Sequence, residues 1–466
     1  MTNTENAATD QNGAAESVTG RKFISVAALF GAALRPLHKS LLIAFSGILF
    51  LTGSIQHAFA QTDSQAPLAS APTPTSPVRQ YALGDWGGER THLADKGMTF
   101  DFFYVADLLS NPTGGLTQDN TGWGRIRGTI DIDFGKLTGW HGLTFHATGL
   151  WQYGVNLGAN MGVIANPSGL VSAHATRLDS FWLQQSFLHD RLFLRAGQFA
   201  GLDFYGNQEY GASYIIEPLD YALGNLFPTT YESFDPAATP AAEIRLIPWR
   251  TLYVKAAVLS GNRDPYQQDP NGFHFAIRNT PVFVDEIGYR INPSESVNSK
   301  PRKTYPGSYK FGSAYNAGKF PNAQGVEYPG NYLLYAMANQ AVFRSTAGST
   351  QGLDLLAGWD WSPPDTNRQN TQTTLGARYN GPFSVRPQDS VAFAFIYSRI
   401  ADPYRAIGIA PGLPLLGSEK AIELNYAAYI RPYLLFQPVF QYYDDVGANP
   451  HIPNAAVFGF RVKVDF

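Results

Sequence analysis

The sequence predicts an all-β fold, a transmembrane antiparallel β-barrel, and three observations carry that prediction. Short segments alternate apolar with ionised side chains, the pattern of a strand with one oily and one wet face. Past residue 78 no run of 18 apolar residues occurs and mean hydropathy is −0.17, which argues against spanning helices. The chain also ends inside such a segment, on the aromatic Phe466. Barrels of the bacterial outer membrane typically end this way.

Composition agrees with the pattern. Among 466 residues there are 45 Gly, 31 Pro and 25 Tyr, with 14% aromatic and only 15% charged residues, which suits many strands joined by turns. The length would hold several ordinary domains, but closed β architectures use one large unit. No cysteine is present, so disulfides, thiolate metal sites and cysteine nucleophiles are excluded. A formal net charge of −3 without a long basic run gives no electrostatic case for nucleic acid as a partner.

The first 60 residues read as a signal peptide. Arg35, His38 and Lys39 precede the apolar run LLIAFSGILFLTG, and Ala58-Phe59-Ala60 supplies a small-x-small cleavage site before Gln61. That run of about 13 residues falls short of the roughly 20 a spanning helix needs, so a permanent anchor is the weaker reading. A second apolar stretch, Phe23 to Leu34, makes the leader unusually long. Residues 61–78, rich in Ala, Ser, Thr, Gln and Pro, cannot bury a core and read as a flexible periplasmic linker. Residues 79–466 remain for the barrel.

The strands follow in order. Between Trp123 and Phe134, Ile126, Ile130, Ile132 and Phe134 share one parity while Arg125, Arg127, Thr129, Asp131 and Asp133 share the other. Leu143, Phe145, Trp151 and Tyr153 alternate with Thr144, His146, Thr148 and Gln152. Ile244 and Leu246 alternate with Glu243 and Arg245, and Leu252, Val254 and Val258 with Lys255. Ile422, Leu424 and Tyr426 alternate with Glu423 and Asn425, and Phe458, Phe460, Val462, Val464 and Phe466 with Arg461, Lys463 and Asp465.

Tight turns are expected at His189-Asp190, Pro248-Trp249 and Arg431-Pro432, and long loops near 111–122, 154–175, 201–239 and 261–331. Short turns at one end and long loops at the other are the asymmetry of outer-membrane barrels. A soluble secreted sandwich would also alternate, with apolar residues inside and charges outside. Trp123, Trp151, Tyr153, Trp249, Tyr253, Trp359, Trp361, Tyr442 and Tyr443 at strand ends favour the barrel, because interfacial girdles use such residues.

Several stretches resemble the OprB-type carbohydrate-selective porin family. LGDWGGERTHLADKGMTFDFFY at 83–104 is similar to the family's opening signature in Gly84, Asp85, Trp86, Gly87, Gly88, Arg90, Leu93, Gly97 and Phe100. YNGPFSVRPQDSVAFAFIYSRI at 379–400 resembles a second family segment. Glu419, Glu423, Gln437-Pro438, Gln441, Tyr442 and Gly447 ahead of FGFRVKVDF resemble the family's ending. Residues from about 262 to 331 match weakly. The resemblance implies about 16 antiparallel strands narrowed by inward-folded loops, and passive passage of glucose and similar small sugars. A count of segments comes out near that strand number.

A sugar offers hydroxyls that donate and accept, and C–H faces that tolerate aromatic rings. A selective constriction therefore combines Arg forks and carboxylates with Trp or Tyr. Candidates on the lumen parity are Arg125, Arg127, Asp131, Trp182, Arg195, Glu243, Arg245, Lys255, Arg378, Glu423 and Asn425. Each contact has to be weak, since a pore conducts only if the solute leaves as readily as it enters. The competing reading is that such groups pair with one another to hold loops against the wall. Trp86 between glycines is read first as a cap on the periplasmic end and second as a sugar contact.

Catalytic and cofactor motifs are not found. Gly135-Lys136 is followed by Leu137 and Gly318-Lys319 by Phe320, so no phosphate-cradling loop is expected, and the nine His lack zincin spacing. His146 beside Ser180 or Asp131 is the nearest approach to a barrel hydrolase. The expected partners are small sugars and outer-membrane lipid. Many barrels of this size form homotrimers, and no strand here marks such an interface. A porin for organic acids or general polar solutes, and a surface protein that binds glycans without a pore, are the alternatives.

Overall fold

Inside a bilayer every strand edge must be paired, so a spanning sheet has to close. This one does. In the computed structural model the described residues are 81–170, 174–261, 264–275, 277, 280–291, 305–346 and 349–466. Sixteen antiparallel strands run in neighbour order and the first pairs with the last. The expected signal peptide (1–60) and linker (61–78) lie outside the described residues.

The first four strands are β1 (Met98–Thr113), β2 (Asp119–Asp133), β3 (Leu143–Tyr153) and β4 (Ala175–Phe187). The next four are β5 (Leu192–Phe199), β6 (Thr239–Trp249), β7 (Leu252–Ser260) and β8 (Pro281–Ile291). Then come β9 (Gly307–Pro321), β10 (Glu327–Arg344), β11 (Gly352–Trp361) and β12 (Gln369–Asn380). The ring is completed by β13 (Ser390–Ile400), β14 (Ser418–Arg431), β15 (Leu434–Asp444) and β16 (Ala455–Asp465). Phe103 faces Asp465 and Ser110 faces Phe458 across the closing seam.

The two faces are sorted as the alternation requires. Leu108, Ile126, Leu183, Leu194, Ile244, Val258, Phe393, Leu424 and Phe458 are exposed on the outside. Arg125, Arg195, Glu243, Glu423 and Arg461 on the opposite parity are buried inside. Phe460 packs on Phe436 with ring centroids 5.2 Å apart, while its neighbour Arg461 turns inward. A secreted sandwich would show the reverse.

The tight turns fall where expected, between β4 and β5, β6 and β7, and β14 and β15. Leu188, His189 and Asp190 make the first of these with φ of 53°, 55° and 60°, a run of left-handed residues that reverses the chain. Among the long loops, 154–174 and 200–238 agree with expectation. The loop expected at 111–122 is only 114–118, because β1 and β2 continue through its ends. The loop expected at 261–331 contains all of β8 and β9 and the start of β10, so the long connection there is 261–280, and the short 322–326 joins β9 to β10 at the same end. A further long loop, 401–417, joins β13 to β14.

Three aromatic residues expected at the membrane interface instead face the lumen. Trp123 and Tyr443 are fully buried inside, and the Tyr253 hydroxyl donates to Glu286 at 2.7 Å. Trp151, Trp249, Trp359 and Tyr442 do lie exposed on the outer surface.

The loop 200–238 turns into the barrel and is the reason that part of the inner face is apolar. Tyr214, Ile215, Ile216 and Leu219 pack on Val105, Leu109, Ile396, Val439 and Val457 of β1, β13, β15 and β16. Tyr205, Leu223 and Leu226 pack on Leu259, Val282, Val284, Leu333 and Met337 of β7, β8 and β10. Burying these side chains against the wall stabilises the loop by on the order of 1.5–3 kcal/mol for each large residue.

The stretch from Gly84 to Arg90 closes the short-turn end of the seam. Gly87 and Gly88 take φ of 74° and 104°, which lets the chain turn into the helix Glu89–Asp95. Arg90 is stacked between Tyr81 (3.7 Å) and Trp86 (4.3 Å), and its Nη2 donates to the Phe466 carbonyl at 2.6 Å. Trp86, expected as a cap, packs here on Arg90.

Candidate functional site

The loop 200–238 folds into the lumen and is held there by wall side chains. The loop's carbonyls and amides are met from nearly every side. Lys310 Nζ donates to Asn207 O at 3.1 Å, Asn316 to Thr230 O at 2.7 Å and Asn331 to Thr229 O at 2.9 Å. Gln437 donates to Ser213 O at 3.0 Å, and Arg461 reaches Tyr214 O at 3.3 Å and Asp220 at 2.8 Å. A loop secured at so many points acts as a fixed diaphragm.

Most of the residues expected to line the pore take part in this stitching. Arg125 and Arg127 both donate to Asp235 Oδ2 of the loop, at 2.7 and 3.0 Å. Lys255 pairs with Glu286 at 2.9 Å and also donates to Phe204 O of the loop. Arg378 bridges Ser213 Oγ (2.7 Å) and Asp354 (2.8 Å). Glu423 accepts from the backbone N–H of Ile215 (3.0 Å) and Ile216 (2.7 Å), and Asn425 donates to Ser213 O at 3.0 Å. Glu423 is fully buried, so its oxygens are withdrawn from any passing solute.

A second group of candidates forms a ladder across β2 to β6. Asp131 Oδ1 lies 2.7 Å from His146 Nδ1, and His146 stacks on Trp182 at 4.8 Å and 11°. From the strand on the other side, the Arg195 guanidinium sits 4.5 Å above the same indole. With both neighbours stacked on it, Trp182 has no free face for a sugar ring. Arg195 is held further by Gln184 (3.0 Å) and Glu243 (3.7 Å), and Glu243 accepts from the Tyr205 hydroxyl at 3.2 Å. Asp131 keeps 41% of its side chain exposed and Arg127 keeps 20%. Arg245 is half-buried, 3.5 Å from Gln184 Oε1 and over the Phe193 ring, with no carboxylate in ion-pair contact among the described residues.

The hydroxyl that approaches His146 is Thr148 rather than Ser180, at 2.9 Å from Nε2. Thr148 is fully buried, so a substrate carbon cannot reach it.

Alternation alone could not find several members of this network. Arg177 is off the expected parity because β4 bulges at Asp179, between the pairs Thr148↔Ser180 and Gly149↔Leu178. The bulge swings Arg177 inward to pair with Asp179 at 3.2 Å. Asp235 and Asp220 sit in a loop without period. Glu286 follows Asp285 directly, and two adjacent acids break the alternation that marks a strand.

Electrostatics inside the loop follow from burial. Desolvation pushes Glu217 up to about 7 and Glu232 up to about 8, with Lys255 opposing the shift at Glu232. Asp235 goes the other way, because Arg125 and Arg127 outweigh its desolvation and hold it below the ordinary carboxylate range.

Comparisons with known proteins agree with this architecture. Porin B of Pseudomonas aeruginosa is 24% identical over 84% of this chain and 92% of its own. A putative porin, QuiX, of Acinetobacter baylyi is 20% identical over 83% of this chain and 93% of its own. The high-pH structure of Pseudomonas putida OprB superposes with a TM-score of 0.74 at 20% identity, covering 84% of this chain and all of that one. Residues 117–466 match the family described as carbohydrate-selective porin, OprB family. A closed sixteen-stranded wall with an inward loop and a match over that length establish that the chain belongs to the OprB family of carbohydrate-selective porins of the outer membrane.

Proposed function

We propose that small neutral sugars such as glucose pass this porin along a strip of the lumen formed by Arg127, Asp131, Gln184 and Arg245. These side chains keep water contact or a free hydrogen-bonding edge, whereas Arg125, Glu423 and Asn425 hold the loop and Trp182 positions His146 and Arg195. A planar Arg fork and an adjacent acceptor can each engage neighbouring hydroxyls, and exposed contacts of this kind are weak enough to release them.

The observation that carries the reading is charge compensation at contact distance. Arg125 and Arg127 share Asp235, Arg195 meets Glu243, Lys255 meets Glu286, and Arg461 meets Asp107. A lumen in which most cations meet a carboxylate, two arginines sharing one at Asp235, presents donors and acceptors with a reduced net field, which suits a neutral polyol better than an anion. Arg245 is the one observation favouring organic acids. The outward apolar band supports outer-membrane lipid as the barrel's surroundings, and the burial of Thr148 supports a channel without hydrolytic activity.

Ion current through single channels, titrated with glucose, tests the strip. Arg245→Ala and Asp131→Asn are expected to weaken glucose block several-fold while leaving the barrel folded. Unchanged block in both variants would remove these residues from the sugar path.

A further inference from the structure

We propose that the segment from Asp269 to Phe275 completes the barrel wall above β5 and rests the rings of Phe273 and Phe275 on the acyl chains of outer-leaflet lipid. The reason for such a segment is the shortness of β5. It has 8 residues against 13 in β4, and its pairing with β4 begins only at Phe181↔Gln198. The part of β4 from Ala175 to Ser180 pairs with β3 on one side and has no β5 partner on the other.

Eight residues rise about 26 Å along the strand, or about 20 Å along the barrel axis at the usual tilt, against an apolar band about 25 Å tall. The notch therefore opens at a depth where acyl chains, not water, would meet unpaired backbone groups.

The segment fills it and takes up hydrogen bonds from the wall. Leu178 N donates to Asn271 O at 3.2 Å, and Gln198 Nε2 donates to Gly272 O at 3.1 Å and to Asp179 O at 2.9 Å. Arg177 Nη1 donates to Asp269 O at 3.0 Å from the lumen side. Gly272 lies so close that a Cβ would sit 1.7 Å from Leu178 O, and its φ is +77°, so no other residue fits there. On the outside, Phe275 packs edge-on against Phe181, centroids 4.8 Å apart. Phe181 shares the outward parity of Leu183, so the segment is continuous with the lipid-facing wall. Phe273 and Phe275 remain 65% and 54% exposed, an apolar surface that water would disfavour.

The inference rests on the lipid-facing reading of the outer parity, and the test separates the two. The chain has no cysteine, so single labels report without background. Nitroxide at Phe273→Cys, in proteoliposomes of lipopolysaccharide and phospholipid, is compared with Leu183→Cys on the wall and Val385→Cys in an exposed turn. The proposal expects the Phe273 label to collide with dissolved oxygen as the Leu183 label does, and several-fold less with a water-soluble nickel chelate than the Val385 label. Chelate collisions equal to those at Val385 would overturn it. So would spin–spin broadening between labels, which would show that a second copy covers the patch. Chelate access at Leu183 would overturn the lipid-facing wall and the proposal together. Phe275→Cys gives the same readout if Phe273→Cys does not insert.

Discussion

Glu419 and Glu423 stand four residues apart on the inner face of β14, and each carboxylate holds a different loop. Glu419 accepts from Ile164 N, Ala165 N and Gly447 N at 2.7 to 3.0 Å, joining the loops 154–174 and 445–454 to the wall. Glu423 accepts from Ile215 N and Ile216 N and so fixes the inward loop 200–238. One strand thereby sets both the rim and the constriction.

Replacing Glu423 with Ala is therefore expected to loosen the diaphragm. Two charge-assisted bonds to buried N–H groups are lost, which costs on the order of 3 kcal/mol locally. Single-channel conductance should rise and become noisier, with reduced preference for small sugars. Glu419→Ala should leave mean conductance near that of the parent, because it frees only rim loops. Equal effects in both variants would contradict this division.

Asp235 is the one carboxylate that Arg125 and Arg127 share, so Asp235→Asn leaves both cations without it and makes the cluster more positive. Reversal potentials in a salt gradient should shift toward anion selectivity, with the larger shift at low ionic strength, where screening is weak. An unchanged reversal potential would show that these arginines do not face the conducting path.

Arg90 ties the N-terminal helix to the carbonyl of Phe466 and is held by two aromatic rings. Arg90→Ala should lower the temperature at which the folded barrel converts to its unfolded mobility on gels, by an amount matching about 2 kcal/mol. Arg90→Lys should recover little of it, since an ammonium cannot reproduce the stacked planar fork. Full rescue by Lys would reduce the contact to simple charge.

Glu232 of the inward loop is fully buried, and no donor among the described residues reaches its oxygens. Burial raises it from 4.5 to about 8. An acid with a raised folded value favours the folded state when protonated. Its contribution is present at low pH and is lost as pH climbs from about 4.5 through about 8. Protease cleavage within the loop should increase as pH climbs from about 4.5 to about 8 and level off above that in the parent, and depend less on pH in Glu232→Gln. Identical pH profiles would rule out Glu232 as the titrating group.

Asp285 is an acid on the outer face of β8, between the exposed Phe283 and Ile287, and among the described residues Ser313 is its hydrogen-bonding neighbour. Asp285→Leu extends the apolar band and should raise the thermal midpoint by an amount matching about 1 kcal/mol. A lower midpoint would show that the carboxyl is needed in a protein contact.

How much of this was legible in the sequence depends on where one strand face met a single solvent. Ile126 against Arg127 and Phe460 against Arg461 were readable, because lipid and lumen demand opposite chemistry on adjacent residues. β8 and β9 do not stand out as strands in the sequence, because Asp285 and Glu286 put an acid on each face of one, and Gly312, Ser313 and Ala314 weaken the other. The residue type of Trp123 suggests the interface, although its parity with Arg125 points inward. The site was less legible than the wall. Parity put Glu423 in the lumen, but nothing local indicated that Ile215 and Ile216, some two hundred residues away, would occupy its oxygens.

Liposome swelling distinguishes a lumen of largely paired charges that prefers neutral sugars from one that draws in anions. Vesicles bearing the protein are challenged with glucose and with gluconate, a carboxylate of similar size. Swelling several-fold faster in glucose, with little dependence on salt, is expected of paired charges. Gluconate entering as fast or faster, with the advantage fading at high salt, would contradict it and make the porin an anion channel governed by unpaired arginine.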